Sequence, residues 1–309
     1  MSRATREALG ETLVELASEG VDVVAVEADL SKSTTTSKLG DAFPDRLFNV
    51  GIAEANMIDV AAGLSIAGKV AFTGSFAVFA TGRAYDQIRN TVCYSNLNVK
   101  LTPTHAGITV GPDGGSHQMV EDLALMRVLP GMTVLVPADY NSAKAAIRTA
   151  AANSGPFYVR LGRATVDEVY PGEYECVVGR ANILRTGTDV TVAACGVMVG
   201  QALKAADLLA ADGISAEVID VASIKPIDAD TILASAHKTR AVITAEEHSI
   251  IGGLGSAVAE VLAEGEPTPM RRIGVRDVFG TSGEPDELLA HFGLTAADIA
   301  GAARTLPAR

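Results

Sequence analysis

The chain is 309 residues long, 48% hydrophobic and 20% charged, with a formal charge of −12. No stretch approaches the roughly 18 unbroken apolar residues that a membrane-spanning helix needs, and the acidic balance argues against nucleic acid or an anionic membrane as a general partner, since both demand a basic surface. The absence of tryptophan leaves no stacking platform for single strands, while the length suffices for two domains that each bury a core.

The first residues pass directly into a helical pattern and show neither the apolar core nor the cleavage site of a signal peptide, so a cytoplasmic location is expected. Short β-branched runs at 21–25, 70–72, 99–102, 133–136 and 157–159 predict strands, and the Ala-rich segments between them have helical periodicity. Such alternation predicts a mostly parallel sheet with helices on both faces and ligands beyond the carboxyl ends of the strands. Asp29, Phe76, His105 and Arg160 all follow strands of this kind. An acidic stretch with Pro and Gly at 166–174 reads as a linker. Beyond it, strands at 190–194, 216–220, 241–244 and 272–275, separated by helices such as 200–211 and 255–263, predict a second, smaller α/β domain. The domains are therefore placed at 1–170 and 171–309.

Cys93, Cys176 and Cys195 are odd in number and unclustered, which reads as reduced, buried thiols and not as a disulfide framework or a cysteine metal site. Neither Cys195-Gly196 nor Ile251-Gly252-Gly253-Leu254-Gly255 gives the dinucleotide fingerprint with an acidic residue about 20 positions on, and both read as turns. Glu246-Glu247-His248 lacks a second clustered histidine for a metal site and reads as a solvated loop.

The most informative segment is the run from Thr104 to Gln118, Thr-His-Ala-Gly-Ile-Thr-Val-Gly-Pro-Asp-Gly-Gly-Ser-His-Gln. Its four glycines and one proline allow sharp folding and close backbone approach to a ligand. Histidine titrates near neutrality, so His105 and His117 suit proton transfer or hydrogen bonding to a polar substrate. Ser116 is expected to cap a helix that starts at His117 and runs through Met119, Val120, Leu123 and Met126, placing His117 at its positive end.

Together with this loop, Phe48-Asn49-Val50-Gly51-Ile52-Ala53-Glu54-Ala55-Asn56-Met57 and Phe72-Thr73-Gly74-Ser75-Phe76-Ala77-Val78-Phe79 resemble the transketolase family of thiamine diphosphate enzymes. The resemblance spans nearly the whole chain and implies a pyrimidine-binding thiamine diphosphate fold followed by a transketolase C-terminal domain. It implies that Glu54 hydrogen-bonds the aminopyrimidine ring of the cofactor, where a carboxyl in an apolar pocket would have a raised pKa. Phe76 and Phe79 would pack on that ring, with Gly82 standing where the family has a tyrosine. Asp29 matches the family's acidic position near the cofactor. Arg6, Ser33 and Arg160 match residues that bind the sugar-phosphate end of donor and acceptor, with Arg163 as an alternative to Arg160. His105 and His117 would hydrogen-bond the donor's oxygens and shuttle protons, and Asp113 would accept from a hydroxyl of the acceptor. The chain has Ala106-Gly107 where the family has Asp-Ser.

The family's Gly-Asp-Gly…Asn motif, which holds Mg²⁺ and the diphosphate, does not occur; Gly40-Asp41-Ala42, in the loop before Phe48, is the nearest approach. The resemblance thus implies the C-terminal subunit of a split transketolase, with thiamine diphosphate shared with an N-terminal subunit that holds the Mg²⁺ (or Ca²⁺). A heterotetramer is the simplest closed arrangement. The expected activity is transfer of a two-carbon ketol unit from a ketose (phosphate) to an aldose (phosphate). The alternatives are a deoxyxylulose-phosphate-synthase-like or 2-oxoacid dehydrogenase beta-like subunit, and a non-catalytic binding protein. No metal ligand is assigned to this chain, and its second domain is expected to serve structure and dimerisation.

Overall fold

The structure, a computed structural model, describes residues 2–306. In the first half the strands are β1 (Arg3–Ala4), β2 (Val23–Glu27), β3 (Leu47–Asn49), β4 (Val70–Gly74), β5 (Val99–Leu101), β6 (Thr133–Leu135), β7 (Phe157–Val159) and β8 (Thr165–Val166). The second half contributes β9 (Asn182–Arg185), β10 (Val190–Ala194), β11 (Ala216–Asp220), β12 (Ser223–Lys225), β13 (Val242–Ser249) and β14 (Met270–Val275). Strands such as β2 and β10 are buried at every position, as expected of parallel strands covered on both faces.

The first sheet has the order β12-β6-β7-β5-β4-β2-β3, and all its pairs are parallel except β12 with β6. The second has the order β14-β13-β10-β11-β9, parallel except for β9 against β11. Helices Thr5–Ser18 and Tyr140–Ala152 cover one face of the first sheet through Leu9, Leu13, Ala143 and Ile147. The helix Glu54–Ile66 covers the other through Met57, Ile58 and Ala61.

The second face does not end at a domain border. Its apolar cluster continues from Val134, Val136 and Leu123 into Ala193, Cys195, Ile219 and Ile224 of the second half. Strand β12 itself leaves the second half to complete the first sheet at its β6 edge. An open edge there would offer unpaired backbone groups; β12 closes it.

Three expectations need correction. Residues 117–121 form no helix: His117 and Gln118 donate their N–H groups back to Gly114, Met119 accepts from Gly107 N–H, and the helix starts only at Asp122. The paired loop strands claim the groups a helical turn would have used. Glu246-Glu247-His248 is not solvated, because β13 runs on to Ser249 and these side chains are 0%, 3% and 0% exposed. Gly40-Asp41-Ala42 ends the helix Ser37–Ala42 and is not loop. The glycine turns at 252–255 have a structural use, since Leu254 and Gly255 donate their N–H groups to the buried Glu246 carboxylate at the helix start. No nucleotide phosphate could claim them.

Because β12 belongs to the first sheet, residues 2–175 expressed alone are expected to aggregate or to melt well below the full chain. Co-expression with residues 176–306 should restore a soluble complex. Light scattering and thermal melting check this, and a monodisperse fragment as stable as the full chain would contradict it.

Candidate active site

The Thr104–Gln118 loop leaves the carboxyl end of β5. Thr104 prolongs the sheet, donating its N–H to Ser75 O and accepting from Ala77 N–H, which sets it beside Phe76 at the end of β4. His105 then takes φ of 60°, in the left-handed region that a residue with a Cβ seldom occupies. That turn swings its ring onto Phe76, with centroids 3.7 Å apart and planes at 19°. Its Nδ1 lies 2.7 Å from the Thr104 hydroxyl. His117 presents its ring edge-on to Phe79 at 5.4 Å and to Phe76 at 6.3 Å, with Ser116 Oγ 3.0 Å from Nδ1. The fold thus gathers His105, His117, Phe76 and Phe79 into one ring cluster.

Burial above all, and then the charges of Arg6 and Arg163, push the His105 pKa down to about 3, so its imidazole is neutral at physiological pH. A neutral ring carries one donor and one acceptor nitrogen.

Glu54 is the first residue of its helix and is 5% exposed. Its Oε1 accepts from Arg83 Nη1 at 2.8 Å, and the same guanidinium lies over the Phe79 ring, 4.2 Å from the centroid. Arg83 therefore bridges the acid and the aromatic of the cluster. Nothing in the local sequence singles it out, since its partner Glu54 lies 29 positions away. Asp29, exposed and with φ of 65°, is tied to Asn49, whose Oδ1 accepts from Asp29 N–H at 3.1 Å.

Arg6 and Arg163 form a basic pair above the loop. Arg6 Nη1 donates to Ser33 O at 3.0 Å, whereas its Nε is buried with no hydrogen-bond partner among the described residues. Arg163 donates to Val110 O and lies 3.9 Å from Asp113. Burial first, and then Arg163, lowers the Arg6 pKa, as two neighbouring cations in one desolvated place require.

Arg160, expected to bind phosphate, is placed elsewhere. Only 7% exposed, it donates from Nε to Asp122 Oδ2 at 2.7 Å and from Nη2 to Asp122 Oδ1, Met119 O and Glu247 O at 3.0, 3.1 and 3.0 Å. Tyr158 donates its hydroxyl to Asp122 as well, at 2.6 Å. Burial works against the Asp122 charge, but Arg160 holds that carboxyl below its ordinary pKa. His248 accepts at Nε2 from Leu123 and Ala124 N–H and donates Nδ1–H to Ser249 O, an arrangement only a neutral ring can make. Burial pushes its pKa down to about 4 accordingly. This guanidinium is structural; Arg163 is the one presented to the loop.

No group of three or more His, Cys, Asp or Glu able to hold a metal occurs among the described residues, and no described helix is long and apolar enough to cross a membrane.

Residues 1–168 match the family "Transketolase, pyrimidine binding domain", and residues 179–299 match "Transketolase, C-terminal domain". A "Putative transketolase C-terminal section" of Methanocaldococcus jannaschii is 50% identical over 301 residues, covering 96% of this chain and 94% of that protein. A 6-deoxy-6-sulfo-D-fructose transketolase subunit of Clostridium sp. (strain MSTE9) is 46% identical, covering 98% and 94%. Among solved structures, one titled "Split gene transketolase, inactive beta4 tetramer" matches with a TM-score of 0.90 at 52% identity over 98% of both chains.

Two outcomes are expected. Asp122→Ala leaves a buried guanidinium without its counter-charge and should cost about 3–5 kcal/mol in denaturant unfolding of the full chain, with Asp122→Leu/Arg160→Met recovering part of the loss. An unchanged midpoint for the single variant would contradict the role given to this pair. For His105, the folded pKa of about 3 lies below the unfolded value of 6.5, so the unfolded chain binds the extra proton. Its contribution to stability is present above about pH 6.5 and is lost as the pH falls toward about 3. NMR of the His105 ring should show no titration between pH 5 and 8, and a midpoint in that range would refute the neutral assignment.

Proposed function

The chain belongs to the transketolase family, and from that premise we propose that it is one subunit of a two-chain enzyme moving a two-carbon ketol unit from a ketose to an aldose, each bearing an anionic end such as phosphate. The carrying observation is the ring cluster of His105, His117, Phe76 and Phe79, with the buried Glu54 and the neighbouring Arg6 and Arg163.

The residues present suit thiamine diphosphate. Glu54 offers a buried carboxyl group to a ring nitrogen of the aminopyrimidine, and Phe76 and Phe79 offer flat apolar packing for that ring. Arg83 holds Glu54 Oε1, which leaves the second carboxyl oxygen for such a ring. When bound, the cofactor supplies a nucleophilic carbon able to take up and pass on a ketol unit. Asp29, hydrogen-bonded to Asn49 at the first strand-to-helix turn, is assigned to the cofactor side of the site. The diphosphate and its Mg²⁺ (or Ca²⁺) are assigned to an N-terminal partner subunit, since this chain carries no Gly-Asp-Gly motif.

For substrate, Arg6 and Arg163 take the anionic end, with Ser33 beside Arg6. His105 and His117 hydrogen-bond the donor's carbonyl and hydroxyl oxygens and move protons between them as the carbon–carbon bond breaks. Asp113, exposed on the loop, accepts from a hydroxyl of the acceptor. The assembly is a heterotetramer working in the cytoplasm in carbohydrate metabolism.

Calorimetry with thiamine diphosphate and Mg²⁺ tests this on the chain alone and after mixing with a chain that carries Gly-Asp-Gly…Asn. Binding is expected only in the mixture, weakened about tenfold or more by Glu54→Ala, which removes a hydrogen bond to a charged group. Arg163→Ala should raise KM for a phosphorylated ketose about tenfold or more while leaving cofactor binding intact. Tight binding by the chain alone would overturn the two-chain reading, and none in the mixture would overturn the function.

A further inference from the structure

The second domain carries none of the groups assigned to chemistry, yet one of its side chains reaches the backbone of the His105–His117 loop. Glu247, on β13, is 3% exposed and accepts the Thr109 N–H at 2.5 Å through Oε1. Two residues earlier, Gly107 has φ of +78°, and a Cβ there would overlap the Glu247 carboxylate. The loop therefore lies directly against this carboxylate. Glu247's own carbonyl accepts from Arg160 Nη2, and that nitrogen also donates to Met119 O on the return limb. Met119 O in turn accepts Gly107 N–H at 2.7 Å, closing the loop across its base.

Apolar contacts follow the same division. Ile108 and Val120, one from each limb, sit in the cluster formed by Val192, Ala194, Met198 and Ile243 of the second domain. Gln118 Nε2 donates to Ile108 O within the loop and to Thr281 O outside it.

We propose that Glu247 is a positioning residue: its carboxylate fixes the Ala106–Thr109 limb and through it the placement of His105. A carboxylate is costly to bury, and burial raises the Glu247 pKa. An apolar side chain of the same size would fill this space at less cost, but it could not accept the Thr109 N–H. What the acid adds is a directional hydrogen bond to one backbone N–H, stronger than a neutral one while the group is ionised. Since misplacing a reacting group by about 1 Å can cost a factor of roughly 100, such a bond has kinetic consequences.

The kinetic part of the test rests on the proposed ketol transfer; a second part does not. In the full chain, amide hydrogen exchange over residues 106–111 is compared for wild type, Glu247→Gln, Glu247→Met and Glu247→Asp. Gln keeps an acceptor oxygen at the same reach, Met removes it, and Asp withdraws it by one methylene. Protection at 106–111 should persist in Gln and fall in Met and Asp, while the helix Leu254–Glu264 stays protected. In the reconstituted pair, kcat per cofactor-loaded site should remain within about threefold for Gln and fall about tenfold or more for Met and Asp, with KM changing less. Asp carries the comparison if Met fails to fold. Equal kcat per loaded site and equal loop protection in all variants would overturn the proposal, as would a loss in Gln as large as in Asp. An inactive wild-type pair with loop protection responding as expected would sink the ketol-transfer reading alone.

Discussion

The guanidinium of Arg160, buried where the two sheets meet, is the contact on which the rest of the site depends. It follows β7 of the first sheet, binds Asp122 at the start of the helix Asp122–Arg127, and donates to carbonyls of Met119 in the loop and Glu247 in β13. Three segments far apart in sequence, 119–122, 160 and 247, are thereby fixed to one planar fork of donors. A buried charge pair is a poor source of net stability, because desolvation offsets most of the attraction. Its value lies in what it forbids: any rearrangement that breaks one of these bonds leaves a charge or a carbonyl unpaired in an apolar seam. A Leu–Met pair could fill that volume, but it would let the loop base settle in several ways.

Around this fixed base the site concentrates positive charge within an acidic chain. The total of −12 repels anions at long range, while Arg6 and Arg163 sit together at the mouth of the loop. Screening limits the long-range repulsion to about 8–10 Å at physiological salt, so the local pair governs an anion once it has arrived. The same two cations, after burial, keep His105 neutral. A ring held uncharged can both donate and accept, which a permanently protonated one cannot.

The elements most readily read from the sequence were those set by local periodicity. Strands 157–159, 190–194 and 216–220 fell at their observed limits because β-branched runs between Ala-rich helices leave few alternatives. The loop was visible from its glycines and histidines, and the cysteines were read correctly as buried. The helix expected from His117 was not formed, because Met119 pairs with Gly107, and that pairing depends on Arg160 and Glu247, 41 and 128 positions away from it. Arg160 itself looks like any arginine after a strand; only Asp122 and Glu247, brought in by tertiary packing, separate it from Arg163. Glu246-Glu247-His248 reads as polar and therefore solvated until the strand is known to run into the seam, where each group has a backbone partner. Charged residues with partners distant in sequence are where pattern reading fails, since hydropathy records the cost of burial and not the bond that offsets it.

The same contacts decide where such an enzyme can be divided. A cofactor held between two domains that touch only across a subunit surface tolerates separate chains on either side of it, because each side can fold before they meet. The two domains described here do not share that freedom. Strand β12 crosses from the second to complete the first sheet, the apolar core runs unbroken from Leu123 to Ile219, and the loop bearing His105 and His117 rests on Glu247 and Thr281. A cut near residue 170 would expose a sheet edge, open the core and remove one wall of the loop at once. In a two-chain enzyme of the kind proposed, the pyrimidine-binding and C-terminal domains must therefore travel together, and the second domain belongs to the active site's scaffold although none of its side chains need touch a substrate.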